Sequence, residues 1–349
     1  MRSLSRVAIL VFSALAVSPA FAAQFYSVVP VAGANSNSYA INASGDVTGV
    51  FRTAGGQDHA FIYTQDNGFL DLGTLAGGNS VGRDINNSRN VVGQSDGRAF
   101  RYSAGNGMVG LSNNSSDARG LNNTSNQAIG TIQTVHDVTT IWDALNGPTS
   151  IFASENTQGY AINDAGERVG RVDGTTGYYS GGGDNVTYTD LGLFLPTDIQ
   201  DTNHLVSGSE NGIATLYNPI SGGSFLPLGK LNPTDTLSDA LSLNNLNQVQ
   251  VVGLSEGTGG FLWTQADGMK NLSTLLAPGS EQWSVISANG INDNGWITGQ
   301  ALFNGEQFAV IMTPVPEPGS LVLLIGGAAL LAAAFSVRSR HASVFRCVI

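Results

Sequence analysis

Four histidines, one cysteine and 26 acidic residues are the groups in this 349-residue chain that could attack a bond, carry a proton or ligate a metal. Their spacing assembles no catalytic pattern. His59, His136 and His204 stand far apart, and none belongs to a metal-binding run such as H-E-x-x-H. His59 is expected to pack at the start of a strand, and the other two to occupy turns. The only cysteine, Cys347, lies near the C-terminus. No G-x-S-x-G nucleophile elbow is expected. A carboxylate pair for glycoside chemistry cannot be picked from the sequence, since aspartates on distant segments can meet across a ring. Asn163-Asp164 and Asn292-Asp293-Asn294 offer oxygen ligands but lack the D-x-[DN]-x-[DN]-G calcium loop, and turn chemistry accounts for them. The reading names no catalytic residue, no metal ligand and no cofactor.

The most specific spacing is at the C-terminus. Val315-Pro316-Glu317-Pro318 precedes an uncharged apolar run, Ser320 to Val337, and then Arg338 and Arg340. Eighteen residues at about 1.5 Å each give roughly 27 Å of helix, close to the ~30 Å of a bilayer core. The arginines predict a cytoplasmic C-terminus, with 341–349 as a short tail. At the other end, Arg2 and Arg6 precede the apolar Val7–Val17, and Ala20-Phe21-Ala22 forms an A-x-A site. Residues 1–23 therefore read as a signal peptide cleaved after Ala22 or Ala23.

The tail resembles the PEP-CTERM sorting domain of exported Gram-negative bacterial proteins, on Pro316-Glu317-Pro318, the apolar span and the arginines that follow. The resemblance implies an exosortase as partner, with Glu317 as the recognised charge and the two prolines keeping the segment extended. It also implies anchoring at the inner membrane, then release to the cell surface or extracellular matrix. The chain departs from the family in continuing through His341–Ile349.

Five of the 15 basic residues and one of the 26 acidic ones fall in these terminal segments, leaving 10 basic against 25 acidic in the exported part. Nucleic acid, which needs the opposite sign, is excluded as a partner.

The region 24–314 is built of repeats. Ile or Leu, Asn, a polar turn, then Val or Ile and Gly recur from Ile41, Ile85, Leu121, Ile162, Ile199, Leu243 and Ile291. The starts are 44, 36, 41, 37, 44 and 48 residues apart. Such periods mean propellers or arrays. Within the first unit, extended stretches are expected at 38–41, 46–51, 59–64 and 68–75. Asn42-Ala43-Ser44-Gly45 supplies a tight hairpin. Forty-five glycines and only 12% charged residues also favour many short strands. Four strands per unit, seven times over, predict an all-β fold, a seven-bladed β-propeller. The last unit lacks a fourth strand, and Phe25–Gly33 stands where that strand would be supplied. The N-terminal strand is therefore expected to close the last blade and remove two open sheet edges.

These units are similar to the HAF-type extracellular repeat, on His59-Ala60-Phe61 with Asp71-Leu72-Gly73-Thr74-Leu75, and on Ala99-Phe100 and Phe261-Leu262-Trp263. That likeness implies export and fold, not an activity. Tyr63, Tyr102, Trp142 and Trp263 recur on the third strands and are expected to fill the wedge between blades. Ligand-bearing loops are expected at 53–58, 95–98 and 256–260 and between blades. The expected function is a non-catalytic surface or matrix protein that binds polysaccharide or protein partners. The alternative is a glycan-acting hydrolase or lyase on the same scaffold.

Overall fold

The computed structural model describes residues 25–143, 147–152, 155–181, 187–219 and 223–315. The signal-peptide residues Ala20, Ala22 and Ala23, the sorting residues Pro316, Glu317 and Pro318, the span 320–337, and Arg338 and Arg340 all lie outside them. No helix among the described residues is long and apolar enough to cross a membrane.

One strand, β1 (Phe25–Ala34), precedes the first repeat. Blade 1 is β2 (Ser36–Ile41), β3 (Val47–Arg52), β4 (Asp58–Thr64) and β5 (Gly68–Gly73). Blade 2 is β6 (Ser80–Ile85), β7 (Val91–Ser95), β8 (Arg98–Ser103) and β9 (Gly107–Gly110). Blade 3 is β10 (Ser116–Leu121), β11 (Ala128–Gln133), β12 (Asp137–Asp143) and β13 (Gly147–Ser150). Blade 4 is β14 (Thr157–Ile162), β15 (Arg168–Val172), β16 (Thr176–Ser180) and β17 (Thr189–Asp190). Blade 5 is β18 (Phe194–Ile199), β19 (Val206–Glu210), β20 (Ile213–Asn218) and β21 (Ser224–Gly229). Blade 6 is β22 (Ser238–Leu243), β23 (Gln250–Ser255), β24 (Gly259–Thr264) and β25 (Gly268–Asn271). Blade 7 adds β26 (Trp283–Ile291), β27 (Ile297–Phe303) and β28 (Glu306–Val315).

Each blade is an antiparallel four-stranded meander, and the seventh has the order β1-β28-β27-β26. The N-terminal strand thus completes the last blade, as its place in the repeat pattern predicts. Ser27 Oγ lies 2.7 Å from Thr313 Oγ1 across this junction, and Tyr26 and Val31 are buried. The last strand runs on to Val315, one residue beyond the expected limit of the domain, so Val315, expected to open the sorting signal, belongs to the blade.

Apolar side chains of neighbouring sheets pack into one another around the ring. Ala60-Phe61, Ala99-Phe100 and Phe261, the core of the HAF-like phrase, are fully buried. Each such phenylalanine contributes about 1.5–3 kcal/mol of burial. Trp142 and Trp263 are buried between blades as expected, whereas Tyr63 and Tyr102 are only half-buried. A second repeated contact ties blades together. Ser36, Ser80, Ser116, Thr157 and Ser238, at or near the head of each inner strand, accept a backbone N–H from the third strand of the preceding blade.

Candidate functional site

The glycine that ends each repeat phrase controls the geometry of the innermost strand. A Cβ on Gly49, Gly93, Gly130, Gly170, Gly208, Gly253 or Gly299 would lie 1.9–2.3 Å from a backbone oxygen of that strand. Only a hydrogen leaves room for the oxygen. Opposite each glycine, the inner strand carries a β-bulge, as between Gly82 and Asp84 or between Ala118 and Gly120. A bulge leaves one residue unpaired and re-aims its side chain. The unpaired residues are Tyr39, Arg83, Arg119, Tyr160, Thr197, Leu241 and Asn289.

All seven line a single axial cavity of about 350 Å³. The inner strands and the hairpin turns that follow them supply its wall from every blade. Its volume falls at the lower end of the ~300–1,000 Å³ typical of small-molecule sites.

The asparagine of the repeat phrase holds this wall. In blade 2, Asn86 Oδ1 accepts from Ser88 N at 3.1 Å and Asn90 N at 3.0 Å, capping its own hairpin. Its Nδ2 donates to Asn122 O of the next blade at 3.2 Å. Asn42, Asn122, Asn163 and Asn292 make the same donation to the following blade, at 2.9–3.3 Å. Gln200 makes it at 2.7 Å, but its Oε1 is buried without a partner. Asn244 instead bonds Gln250 Oε1 within its own blade.

The next residue of each turn forms the rim. Ala43 N donates to Asn87 Oδ1, Asn87 N to Asn123 Oδ1, and Asn123 N to Asp164 Oδ1, at 2.6–2.9 Å. Asp164 N then donates to Asp201 Oδ1, Asp201 N to Asn245 Oδ1, and Asn245 N to Asp293 Oδ1, each at 2.7 Å. These acidic turns are interblade latches. Among the described residues no group of three or more His, Cys, Asp or Glu is arranged to hold a metal ion.

Below the rim, Asp84 and Asp198 line the cavity from blades 2 and 5. Asp84 accepts from Ile85 N and from Leu121 N of the next blade, both at 2.7 Å. Burial pushes its carboxyl up to about 7 against these donors, and the Asp198 charge adds to the rise. Asp198 is likewise pushed up to about 6 by burial, while Ser242 Oγ, Ile199 N and Leu243 N oppose the shift. Positive charge gathers on the bulge layer. Arg83 Nη2 and Arg119 Nε share Asp117 Oδ2 at 3.4 and 3.0 Å. The guanidiniums of Arg119 and Arg171 pack 4.5 and 4.4 Å from the centre of the Tyr160 ring.

Among the described residues the histidines do not meet. His59 sits on β4 with Nδ1 3.0 Å from both Asp71 oxygens, in a structural strand-to-strand contact. His204 occupies the β18–β19 turn with φ 58° and bonds Glu167. His136 lies in the β11–β12 turn. Gly78-Asn79-Ser80-Val81-Gly82 has the spacing of a nucleophile elbow. Yet Ser80 opens strand β6, is 3% exposed, and is held between Ala60 N and Gly73 O. None of the loops at 53–58, 95–98 and 256–260 lines the cavity. The signal for the true lining was the residue two before each repeated Ile or Leu, which varies in type within an otherwise constant phrase.

No family model matches the chain, and no curated protein does. Among solved structures it is similar to a chain of the mitotic checkpoint complex, with TM-score 0.54 and 10% identity, covering 90% of this chain and 100% of that one. It is also similar to the extracellular domain of a hybrid two-component system protein from B. thetaiotaomicron, with TM-score 0.52 and 11% identity. That match covers 84% of this chain and 40% of the other. Likenesses at this identity show the propeller fold alone.

Proposed function

We propose that this chain is an exported cell-surface or matrix protein, delivered through Val315-Pro316-Glu317-Pro318 by an exosortase, whose propeller is a non-catalytic binding module for polysaccharide or protein partners. One observation carries the binding part. The scaffold asparagines and glycines are nearly constant around the ring, while the seven bulge residues between them differ in size, charge and donor pattern and meet in one cavity. A constant frame around a varied inner ring suits recognition. The cavity carboxylates fit this reading, since Asp84 and Asp198 are each committed to backbone donors of two adjoining blades.

A glycan-acting hydrolase or lyase is the second reading, and one observation favours it. Asp84 and Asp198 line the same cavity with carboxyls pushed up to about 7 and about 6, a range suited to proton transfer. Incubating the full chain with extracellular polysaccharide separates the two. Retention of polysaccharide with no new reducing ends and no unsaturated product is expected. Product formation that disappears in Asp84→Asn would overturn the binding reading. Export is tested by replacing Pro316-Glu317-Pro318 with alanines in an exosortase-bearing host; unchanged C-terminal processing would count against sorting.

A further inference from the structure

Among the described residues, six inner hairpins place a left-handed residue two positions before the second strand of the blade. In blades 1, 4 and 7 it is a glycine: Gly45, Gly166 and Gly295, at φ 80°, 78° and 71°. In blades 2, 3 and 5 it is Arg89, Asn126 and His204, at φ 60°, 55° and 58°. A side chain in this conformation is strained, and such strain gathers at switches. Here each side chain reaches back to the residue just before the second strand of the preceding blade. Arg89 Nε donates to Asp46 Oδ2 at 2.9 Å, and Asn90 Nδ2 donates to Asn126 Oδ1 at 3.2 Å. His204 Nδ1 lies 2.5 Å from Glu167 Oε2. The three clasps match in place and differ in charge. Arginine is a permanent cation, asparagine is neutral, and histidine changes charge between about pH 5 and pH 8.

We propose that the seam between blades 4 and 5 is a pH-operated latch in the cavity wall, closed while His204 is protonated and loosened once its imidazole loses the charge. The wall is involved because the same two turns make a rim contact. Asp164 N donates to Asp201 Oδ1 at 2.7 Å, and both aspartates line the cavity. The latch belongs to the ring itself and acts whatever the cavity binds.

The groups packed around the clasp leave His204 in control. Its side chain is 29% exposed, so protons reach it from solvent. Glu167 also accepts from Tyr179 Oη and from Asn163 Nδ2, both at 2.6 Å. Burial favours its protonated form, but the bonds from His204, Tyr179 and Asn163 prevail and keep it ionised across the histidine range. Tyr179 keeps its proton, because burial and then the Glu167 carboxylate push it well up, with Tyr217 adding to the rise. Arg168, next along the chain, sets its charge against Tyr178. Burial also raises Asp201, and the charges of Asp164 and Asp293 add to that rise. Deprotonating His204 therefore removes the cation that faces Glu167 and leaves the seam to its carboxylates. The ion pair is present below the histidine range and lost above it.

The test is hydrogen exchange, read by mass spectrometry on the full chain in detergent at pH 5.5 and pH 8.0. Each rate is divided by the intrinsic rate at that pH. Protection of the turn at 163–167 is expected to fall at least ~10-fold at the higher pH, the equivalent of one pK unit. The matching turn at 42–46, whose Ala43 N donates to Asn87 Oδ1 across a seam clasped by Arg89, is expected to change by less than ~3-fold. Asp84 and Asp198 titrate elsewhere, since they bond Leu121 N and Leu243 N across the seams between blades 2 and 3 and between blades 5 and 6. His204→Arg should hold protection level at both pH values, and Arg89 shows that arginine fits this backbone. Glu167→Gln removes the other charge and should do the same, which keeps the test open where the arginine variant does not fold. Level protection in the unaltered chain would overturn the proposal. An equal fall in a folded His204→Arg or Glu167→Gln chain would also overturn it, by assigning the effect to Asp201. So would a fall shared by the turn at 42–46, which would make the loosening a property of the whole ring.

Discussion

Replacing Gly93 by alanine tests the link between the repeat phrase and the cavity most directly. The added Cβ would lie 1.9 Å from Val81 O and 3.0 Å from Phe100 Cε1. Real Cβ contacts essentially never fall below 3.0 Å, so the oxygen must retreat by at least 1.1 Å, the difference between 3.0 and 1.9. Phe100 is fully buried and blocks the alternative of shifting the β7 backbone toward β8. Overpacking alone costs about 1–3 kcal/mol. Opening the β6–β7 ladder at Gly82–Gly93 would add the loss of one or two backbone hydrogen bonds at about 1 kcal/mol each. A total of about 2–5 kcal/mol follows. Gly105→Ala is the control, since its backbone is not in the left-handed region and nothing lies within 4 Å of its Cβ position. It should change stability by no more than about 0.5 kcal/mol in either direction. Urea unfolding followed by tryptophan fluorescence reads both, provided the m-value is unchanged. A Gly93→Ala midpoint within about 1 kcal/mol of the control would refute the reasoning. It would mean that the carbonyl is free to turn and that glycine is not what permits the bulge presenting Arg83.

The asparagine latch makes two opposite predictions. Asn86→Ala strips two backbone donors of their acceptor and a carbonyl of its donor at a 2%-exposed site, and should cost about 3 kcal/mol in urea unfolding. Gln200→Asn should instead gain about 1 kcal/mol, because the shorter amide can cap its own turn as Asn122 does through Gln127 N; a loss of stability would disprove that equivalence. The buried carboxyls set a pH dependence. Burial raises Asp84, Asp198 and Asp239 to about 7, about 6 and about 6, above the value near 3.8 expected unfolded. The folded state therefore binds more protons across pH 4–7, and stability should fall by at least about 2 kcal/mol between pH 4.5 and pH 8. Below pH 4 the sign reverses for Glu167. Its burial favours the proton, but bonds from His204, Tyr179 and Asn163 outweigh that and hold it below its ordinary range. Melting temperatures that stay level or rise from pH 4.5 to 8 would contradict the assignment.

Much of the fold was legible in particular residues. Asn42-Ala43-Ser44-Gly45 placed the first hairpin because glycine at φ 80° permits its turn, and Phe25–Gly33 announced itself as the missing outer strand. The cavity was less legible. Tyr39, Arg83, Arg119 and Tyr160 look in sequence like ordinary members of alternating strands, and a one-residue bulge changes which way a side chain faces. The same is true of Asp84 and Asp198, which stand 114 residues apart, yet the charge on one raises the other's carboxyl. Loops at 53–58, 95–98 and 256–260 are the expected ligand carriers because loops usually carry function, whereas the cavity is built from inner strands and their following turns.

By itself the sequence determined the architecture: seven units, four strands in each, and a ring closed by its own N-terminus. Local rules suffice for this, because strand periodicity, turn chemistry and repeat spacing act over a few tens of residues. Only the tertiary structure decided where the variable residues go. Seven bulges, each opposite a glycine, bring side chains up to 250 residues apart into one cavity of about 350 Å³. No local pattern encodes that meeting, since it follows from closing the ring around an axis.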